Sequence, residues 1–159
     1  GNETTRNTIT GGLLALTENP QERDKLLNDP SLIANATDEM LRWVSPVIYF
    51  RRTATKDTEI RGQKIEEGQK VAMWYGAANR DEEIFKESQK FLVDRENANK
   101  HLAFGAGQHL CLGNQLGKMQ IRVLFEELLK AYPNMHSVSE PVRVSSNFLD
   151  AISDLQVNS

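Results

Sequence analysis

The feature that most restricts the fold of this chain is a glycine-rich run around its single cysteine. Residues 104–113 read Phe-Gly-Ala-Gly-Gln-His-Leu-Cys-Leu-Gly. Gly105 and Gly107 allow the backbone to turn tightly and to approach a flat partner closely. The next residues, 112–132, carry apolar side chains at helical spacing, which predicts a long helix. Cys111 is therefore expected at the entrance of a helix, where free N–H groups and the helix dipole stabilise a thiolate.

The single cysteine has two interpretations. A lone cysteine is usually a small buried apolar residue, whereas a thiolate at the mouth of a helix can be the axial ligand of a haem iron. Because Cys111 is the only cysteine among 159 residues, neither an internal disulfide nor a cysteine-cluster metal site can form. This cysteine usage favours a cytoplasmic location.

Hydrophobic periodicity predicts helices first, a short strand-rich middle, then one long helix and a tail of strands. This order is typical of a mainly α fold with small β-sheets, in the α+β class. After a first helix that stops at Asn19-Pro20, helices are predicted at 21–28, 31–44 and 112–132, and strands at 52–55, 58–60, 71–74 and within 142–157. Residues 79–100 show little periodicity, and such a long irregular segment is often functional. The last helix carries an apolar stripe that is expected to face the core: Leu116, Met119, Val123, Leu124 and Leu128.

Composition argues against several classes of function. The 19 basic and 22 acidic residues give a net charge of −3, whereas a nucleic-acid-binding protein is expected to show a basic excess. No apolar run is long enough to span a membrane, and the first residues lack a basic-then-apolar leader. The length suits one domain.

The run at 104–113 matches the pattern F-G-x-G-x-H-x-C-x-G and so resembles the haem-binding signature of the cytochrome P450 family at every specified position. Three further motifs occur elsewhere in the chain, in the same order as in the family, and the resemblance covers essentially the whole chain. It implies the C-terminal portion of the cytochrome P450 fold, with 1–159 as the haem-binding part of a single domain whose N-terminal half is absent. The implied cofactor is haem b, iron protoporphyrin IX. The resemblance assigns Cys111 to the iron and the following residues to the haem environment: Phe104, Gly105, His109 and Gly113.

A second motif is Glu39-Met-Leu-Arg42, whose charged residues are neighbours on one face of a predicted helix. Alone it is weak evidence, because exposed pairs of this kind contribute about 0–1 kcal/mol. It resembles the E-x-x-R helix of the family, where the pair is buried and joined by an arginine from the later irregular segment. Arg95 is the candidate for this third member. The resemblance implies that the triad pins the segment that leads into the cysteine loop.

The N-terminal run Gly-Asn-Glu-Thr-Thr could simply cap a helix. In the family, the corresponding acid and alcohol lie over the haem on the distal helix and relay protons to iron-bound dioxygen. The resemblance therefore gives Glu3 the role of the acid and Thr4 that of the alcohol. By the same resemblance Arg52 and His109 bind the haem propionates through charge-assisted hydrogen bonds. The alternative for Arg52 is a solvated strand residue.

The activity implied by the resemblance is that of a haem-thiolate monooxygenase. It would insert one oxygen atom from O2 into a small apolar substrate, such as a sterol, a terpenoid or a fatty chain. Electrons would come from NAD(P)H through a ferredoxin-type partner, and Lys100, Lys118 and Arg122 are the candidate docking face. Lys118 and Arg122 are expected to share an exposed face of the long helix.

Family members are more than twice this length, and the chain is interpreted as a C-terminal fragment that is inactive alone. Two alternatives remain. The first is a non-catalytic, truncated remnant that binds haem weakly or not at all. The second is a helical adaptor protein with a buried cysteine, which would take up no haem.

Overall fold

The structure, a computed structural model, describes residues 2–158 of the chain. No helix within these residues is both long and apolar enough to cross a membrane. The helices are α1 (Glu3–Glu18), α2 (Pro20–Asn28), α3 (Ile33–Val44), α4 (Tyr75–Ala78) and α5 (Asn114–Ala131), with 3₁₀ turns at Pro30–Leu32, Ala98–Lys100 and Gly107–His109. The strands are β1 (Tyr49–Thr53), β2 (Thr58–Ile60), β3 (Gln63–Ile65), β4 (Lys70–Trp74), β5 (His136–Ser137), β6 (Val142–Arg143), β7 (Ile152–Asp154) and β8 (Val157–Asn158).

Prolines and their neighbours end the first three helices where the sequence predicts. Helix α1 stops before Asn19, because the residue ahead of a proline avoids the helical conformation. Pro20 then opens α2, where its missing N–H costs nothing. Helix α3 ends at Val44, and Ser45 after it takes a left-handed backbone conformation with φ 45. These boundaries confirm the predicted N-terminal helices.

Helices α1 and α3 pack closely because two glycines of α1 leave room between them. A Cβ on Gly11 would lie 2.7 Å from Cγ2 of Val44, and one on Gly12 would lie 2.9 Å from Sδ of Met40. The buried core beside this contact draws on α1, α2, α3, α5 and the irregular segment. Its members are Ala15, Leu16, Leu26, Ile33, Ala36, Met40, Leu41, Phe91, Val93, Ile121 and Phe125.

Helix α5 buries a different face from the one predicted. Its buried residues are Gly117, Ile121 and Phe125. The prediction that the main apolar stripe faces the core is wrong, because α5 is apolar on two faces and helical periodicity cannot choose between them. Four members of that stripe are between 39% and 55% exposed: Leu116, Met119, Val123 and Leu124.

The strands form four separate two-stranded antiparallel sheets within the described residues. β1 pairs with β4, β2 with β3, β5 with β8 and β6 with β7. An isolated bridge between Val47 and Leu149 attaches the C-terminal tail to the connection after α3. The strands at 58–60, at 71–74 and in the tail confirm the predictions, whereas β3 and β5 had not been predicted. Helices with small sheets confirm the predicted α+β class.

Candidate functional site

Six of the predicted site residues line a cavity of about 440 Å³: Thr4, Arg52, Phe104, Gly105, His109 and Cys111. Its wall is built by one face of α1, by strand β1 and its approach, by the cysteine loop (residues 104–113) and by α5. Most side chains on it are apolar or hydroxyl-bearing. Residues from each of these elements include Thr4, Thr8, Val47, Phe50, Arg52, Phe104, Gly105, His109, Cys111 and Ile121.

Two glycines shape the cysteine loop as the sequence predicts. Gly105 and Gly107 have φ values of 72 and 65, a left-handed conformation that glycine adopts without steric cost. The loop closes on itself where the N–H of Cys111 donates to the carbonyl of Phe104 at 2.9 Å. This bond fixes the backbone at the thiol, while the cysteine side chain stays free and exposed. The interpretation of Cys111 as a buried apolar residue is therefore wrong for this structure.

The helix after the cysteine begins at Asn114, two residues later than predicted, and Gly113 is its N-cap residue. Cys111 thus precedes the helix, and its carbonyl oxygen accepts the N–H of Asn114 at 3.2 Å. A Cβ on Gly113 would lie 3.9 Å from Cys111 Sγ. Gly113 does not line the cavity itself, and a Cβ there would make only an ordinary van der Waals contact with the thiol.

Two basic side chains lie on the cavity wall, Arg52 and His109. Arg52 is half-buried on β1, whereas the neighbouring Arg51 is exposed. The Arg52 guanidinium donates to the carbonyl of Arg51 at 3.0 Å. His109 ends the 3₁₀ turn of the cysteine loop. Within residues 2–158 neither side chain has a carboxylate partner, so both remain able to bind an anionic group.

Helix α1 places the predicted acid and alcohol differently. Thr4 is half-buried on the cavity wall. Glu3 is exposed, lies off the wall and pairs with Arg6. One turn further along, the Thr8 hydroxyl donates to the carbonyl of Thr4 at 2.9 Å. The alcohol therefore faces the cavity and the acid faces the outside of the helix.

The structure brings the predicted triad together in the interior. Glu39 and Arg42 are 0% exposed and Arg95 is 6% exposed. Arg42 donates to both carboxylate oxygens of Glu39, at 2.7 and 2.8 Å, and Arg95 Nε donates to Glu39 Oε2 at 3.0 Å. The carboxylate also accepts the N–H of Leu92 at 2.9 Å. A bidentate arginine pair of this kind is both strong and geometrically specific.

The remaining guanidinium donors bind the backbone of the irregular segment. Arg42 donates to the carbonyls of Asn79, Ser88 and Lys90 at 2.8, 3.0 and 2.9 Å. Arg95 donates to that of Lys90 at 2.8 Å. Residues 79–100 form no β-ladder, and buried carbonyl groups need hydrogen-bond donors. The guanidinium groups of Arg42 and Arg95 are donors to the carbonyls of this segment.

Asn79 is a buried residue that sequence reasoning missed. It is 0% exposed, and its Nδ2 donates to Ser45 Oγ at 2.8 Å. Its Oδ1 accepts the N–H of Leu102 at 2.7 Å. Asn79 therefore ties the end of α3 to the backbone just before the cysteine loop. A single asparagine in an irregular stretch carries no local signal of such a role.

The sequence analysis also missed a second buried carboxylate that binds the backbone of the irregular segment. Glu22 of α2 is 3% exposed and accepts the N–H of Val93 at 2.9 Å. Lys25 pairs with Glu22 at 3.0 Å and with Asp94 at 2.9 Å, and the hydrogen bond to Asp94 raises the pKa of Lys25. The irregular segment is thus held from α2 as well as from α3.

The candidate docking face is only partly free. Lys118 is half-buried, and its ammonium pairs with Asp38 of α3 at 2.5 Å. The expectation that Lys118 presents an exposed charge is therefore wrong, because α3 crosses within its reach. Arg122 is exposed with Glu126 at 3.5 Å, and Lys100 is exposed.

A family model described as "Cytochrome P450" matches residues 27–149 of the chain. The chain belongs to the cytochrome P450 family. The match includes both the E-x-x-R helix and the cysteine loop, and members of this family use haem.

Individual cytochromes P450 resemble nearly all of the chain. It is 47% identical over 159 residues to a methyl-branched lipid omega-hydroxylase of Mycobacterium tuberculosis, covering 99% of this chain and 37% of that protein. It is 45% identical to a linalool 8-monooxygenase of Pseudomonas putida, covering 99% and 38%. A solved cytochrome P450-153 from Novosphingobium aromaticivorans has 45% identity and a TM-score of 0.93, covering 99% and 40%. The chain thus spans well under half the length of these cytochromes P450.

The residues around the cavity fit the haem of a cytochrome P450. An exposed thiol can reach an iron, and two basic side chains without a carboxylate partner in the described residues can donate hydrogen bonds to two propionates. The wall between them is mainly apolar, as a porphyrin face requires. Gly105 lies on the same wall, and its φ of 72 requires a residue without a Cβ at this turn.

Proposed function

We propose that this chain is the haem-binding part of a monooxygenase that inserts one oxygen atom from O2 into an apolar organic substrate and reduces the other to water. The observation that carries the proposal is the free thiol of Cys111, exposed in a glycine-shaped loop on the wall of the cavity. When bound there, haem supplies the reduction of dioxygen and the transfer of one oxygen atom. The chain's residues supply the ligand, the counter-charges and the protons.

Cys111 is the proposed iron ligand, since a thiolate donates electron density that favours cleavage of the O–O bond. The bond from its N–H to the carbonyl of Phe104 fixes the backbone that carries the thiol. Arg52 and His109 are proposed to donate to the propionates. Phe104 and Gly105 lie on the same wall and are proposed to pack against the ring.

Glu3 and Thr4 are the proposed proton route. Glu3 is exposed and pairs with Arg6, so its carboxylate is in contact with water on the outside of α1. The Thr4 hydroxyl lies on the cavity wall one residue away and can pass a proton inward. A positioned donor of this kind contributes typically about 10²–10⁴-fold to the step that it serves.

The proposed substrate is an apolar, methyl-branched chain, a terpenoid or a sterol. The cavity wall near the tail is aromatic: the ring of Phe50 lies 6.0 Å from Tyr75 and 5.6 Å from Phe148, centroid to centroid. A pocket wall of this kind favours the binding of substrates with a large apolar surface. The names of the lipid omega-hydroxylase and the linalool monooxygenase agree with this class.

The proposed electron source is NAD(P)H, acting through an acidic ferredoxin-type partner. Lys100 and Arg122 are the proposed contacts, since both are exposed and basic. Lys118 contributes less, because Asp38 already neutralises it.

The decisive experiment is the spectrum of the reduced protein with carbon monoxide. We expect the red-shifted band that is specific to thiolate ligation, and we expect Cys111→Ser to abolish it. Leu112→Ala is the matched control, because Leu112 is in the same loop, fully exposed and off the cavity wall. An unchanged band in Cys111→Ser would contradict the ligand assignment. A thiolate band without product formation would favour the non-catalytic remnant, and no haem uptake would favour the adaptor.

A further inference from the structure

A buried histidine before the cysteine loop joins three elements of the fold. His101 is 8% exposed, and its Nε2 lies 3.3 Å from Oδ1 of Asp38 on α3. The same Asp38 oxygen lies 2.5 Å from the ammonium of Lys118 on α5. Burial disfavours the charged form of Asp38, but the hydrogen bonds from His101 and Lys118 outweigh it and hold the pKa of this carboxyl below its ordinary value.

The hydrogen bonds define one tautomer of His101. Its Nδ1 accepts the N–H of Ala103 at 3.2 Å, so the ring proton is on Nε2 and points at Asp38. Both ring nitrogens are therefore used, one as donor and one as acceptor. An apolar side chain of equal size would leave the Ala103 N–H and the Asp38 carboxylate with fewer partners.

His101 also contacts the cysteine loop. Its ring centroid lies 5.6 Å from that of Phe104. The carbonyl of Phe104 accepts the N–H of Cys111 at 2.9 Å. From Asp38, an unbroken set of contacts thus runs through His101 and the backbone of 103–104 to the backbone of Cys111.

We propose that His101, held by Asp38 with its proton on Nε2, is a positioning residue that sets the entry of the cysteine loop and thereby the position of the Cys111 thiol. The consequence for haem ligation rests on the proposed function, whereas the consequence for the loop backbone does not. His101 acts through Ala103 and Phe104 and does not itself line the cavity.

Three substitutions at His101 separate its hydrogen bonds from its volume. His101→Asn keeps an acceptor near the place of Nδ1, His101→Gln keeps a donor near the place of Nε2, and His101→Phe keeps a ring with neither. If the acceptor for the Ala103 N–H positions the loop, the asparagine variant should behave like the natural protein and the other two should not.

The first readout is amide hydrogen exchange at Cys111 in the protein without haem. Exchange should rise about tenfold in the glutamine and phenylalanine variants and stay within about twofold in the asparagine variant. The second readout is the haem-loaded protein with carbon monoxide, in which the fraction without thiolate ligation should rise in the same two variants. Asp38→Asn, which keeps the volume and an acceptor for Nε2–H, should raise exchange less than His101→Phe.

Two outcomes would overturn the proposal. If the Cys111 amide exchanges as slowly in His101→Phe as in the natural protein, ring volume alone is sufficient. If exchange rises equally in all three His101 variants, the acceptor for the Ala103 N–H is not what positions the loop. If the natural protein takes up no haem, the proposed function fails, and the exchange measurement alone still decides the role of His101. If His101→Phe does not fold, the comparison of His101→Asn with His101→Gln makes the same distinction.

Discussion

Glu39 carries one buried negative charge against the two buried guanidinium groups of Arg42 and Arg95. Removing a partner from such a set leaves a charge without compensation in a low dielectric, which is more costly than losing an exposed pair. The backbone carbonyls that accept hydrogen bonds from Arg42 and Arg95 solvate the remaining positive charge with the negative ends of their dipoles. These residues stabilise the approach to the site and do not touch the cavity.

Glu39→Ala should therefore lower the free energy of unfolding by about 3–5 kcal/mol, because both arginines remain buried without their carboxylate. Urea denaturation measures the change. Glu83→Ala is the matched control, since Glu83 also pairs with an arginine, Arg61, but both side chains are exposed, and it should change stability little. Equal losses in the two variants would show that burial of Glu39 is not the cause.

Asp38 should make stability depend on pH in acid. Its pKa is lower in the folded protein than the ordinary value of 3.8, so the folded state favours the ionised form. The contribution is fully present above that ordinary value and is lost as the pH falls through the lower folded-state pKa. Asp38→Asn should flatten this acid limb when unfolding is followed by urea titration at a series of pH values. An acid limb that stays as steep as in the natural protein would assign it to other carboxylates.

Among the helices, the close crossing of α1 and α3 depends on small residues. The γ-methyl groups of Val44 stand where a side chain on Gly11 would begin. Valine has one strongly preferred rotamer in a helix, so it cannot turn away cheaply. The position of α1 against α3 in turn fixes the position of Thr4 on the cavity wall.

Gly11→Ala should destabilise the protein although alanine is the better helix former. Forced overpacking typically costs about 1–3 kcal/mol, which exceeds the roughly 1 kcal/mol that alanine gains over glycine in a helix. Gly76→Ala in α4 is the control, because the nearest atom to its Cβ, Nη1 of Arg80, is 4.0 Å away. Thermal unfolding of both variants measures the difference. Stabilisation by Gly11→Ala would show that the Val44 side chain moves aside at little cost in free energy.

For the protein as a whole, the small net negative charge of −3 does not exclude exposed basic residues on either side of the cysteine loop. Lys100 precedes the loop and Arg122 follows it on α5, and both are exposed. Complementary charge chiefly raises association rates and makes them sensitive to salt. Lys100 and Arg122 are therefore the two exposed cations through which the proposed docking of an acidic partner can be tested.

Reversing both charges, with Lys100→Glu and Arg122→Glu, should slow the first electron transfer from an acidic ferredoxin and weaken its salt dependence. Stopped-flow reduction at low and high salt measures both effects. Lys130→Glu is the control, because Lys130 is exposed in the last turn of α5 and pairs with Glu127. If the control slows reduction as much as the double variant, net charge and not a docking face is responsible.

Local chemistry was sufficient to predict where the first three helices end, the α+β class and the turns of the cysteine loop, although it placed the start of α5 two residues too early. A proline ends the helix that precedes it and can open the next one, and only glycine adopts the φ values of Gly105 and Gly107 without strain. The spacing of Glu39 and Arg42 likewise places them side by side on any helix. These features depend on residues a few positions apart, so they can be read before the tertiary structure is known.

The tertiary structure decided which polar and apolar groups became buried. Glu39 and Arg95 are 56 positions apart, and Asp38 and His101 are 63 apart. Their contacts exist only because the irregular segment returns along α3. The buried face of α5, the pairing of Lys118 and the hydrogen bonds of Asn79 have the same origin. These polar side chains are buried and hydrogen-bonded only because segments distant in the sequence pack against them. A local sequence pattern does not specify which distant segments come into contact.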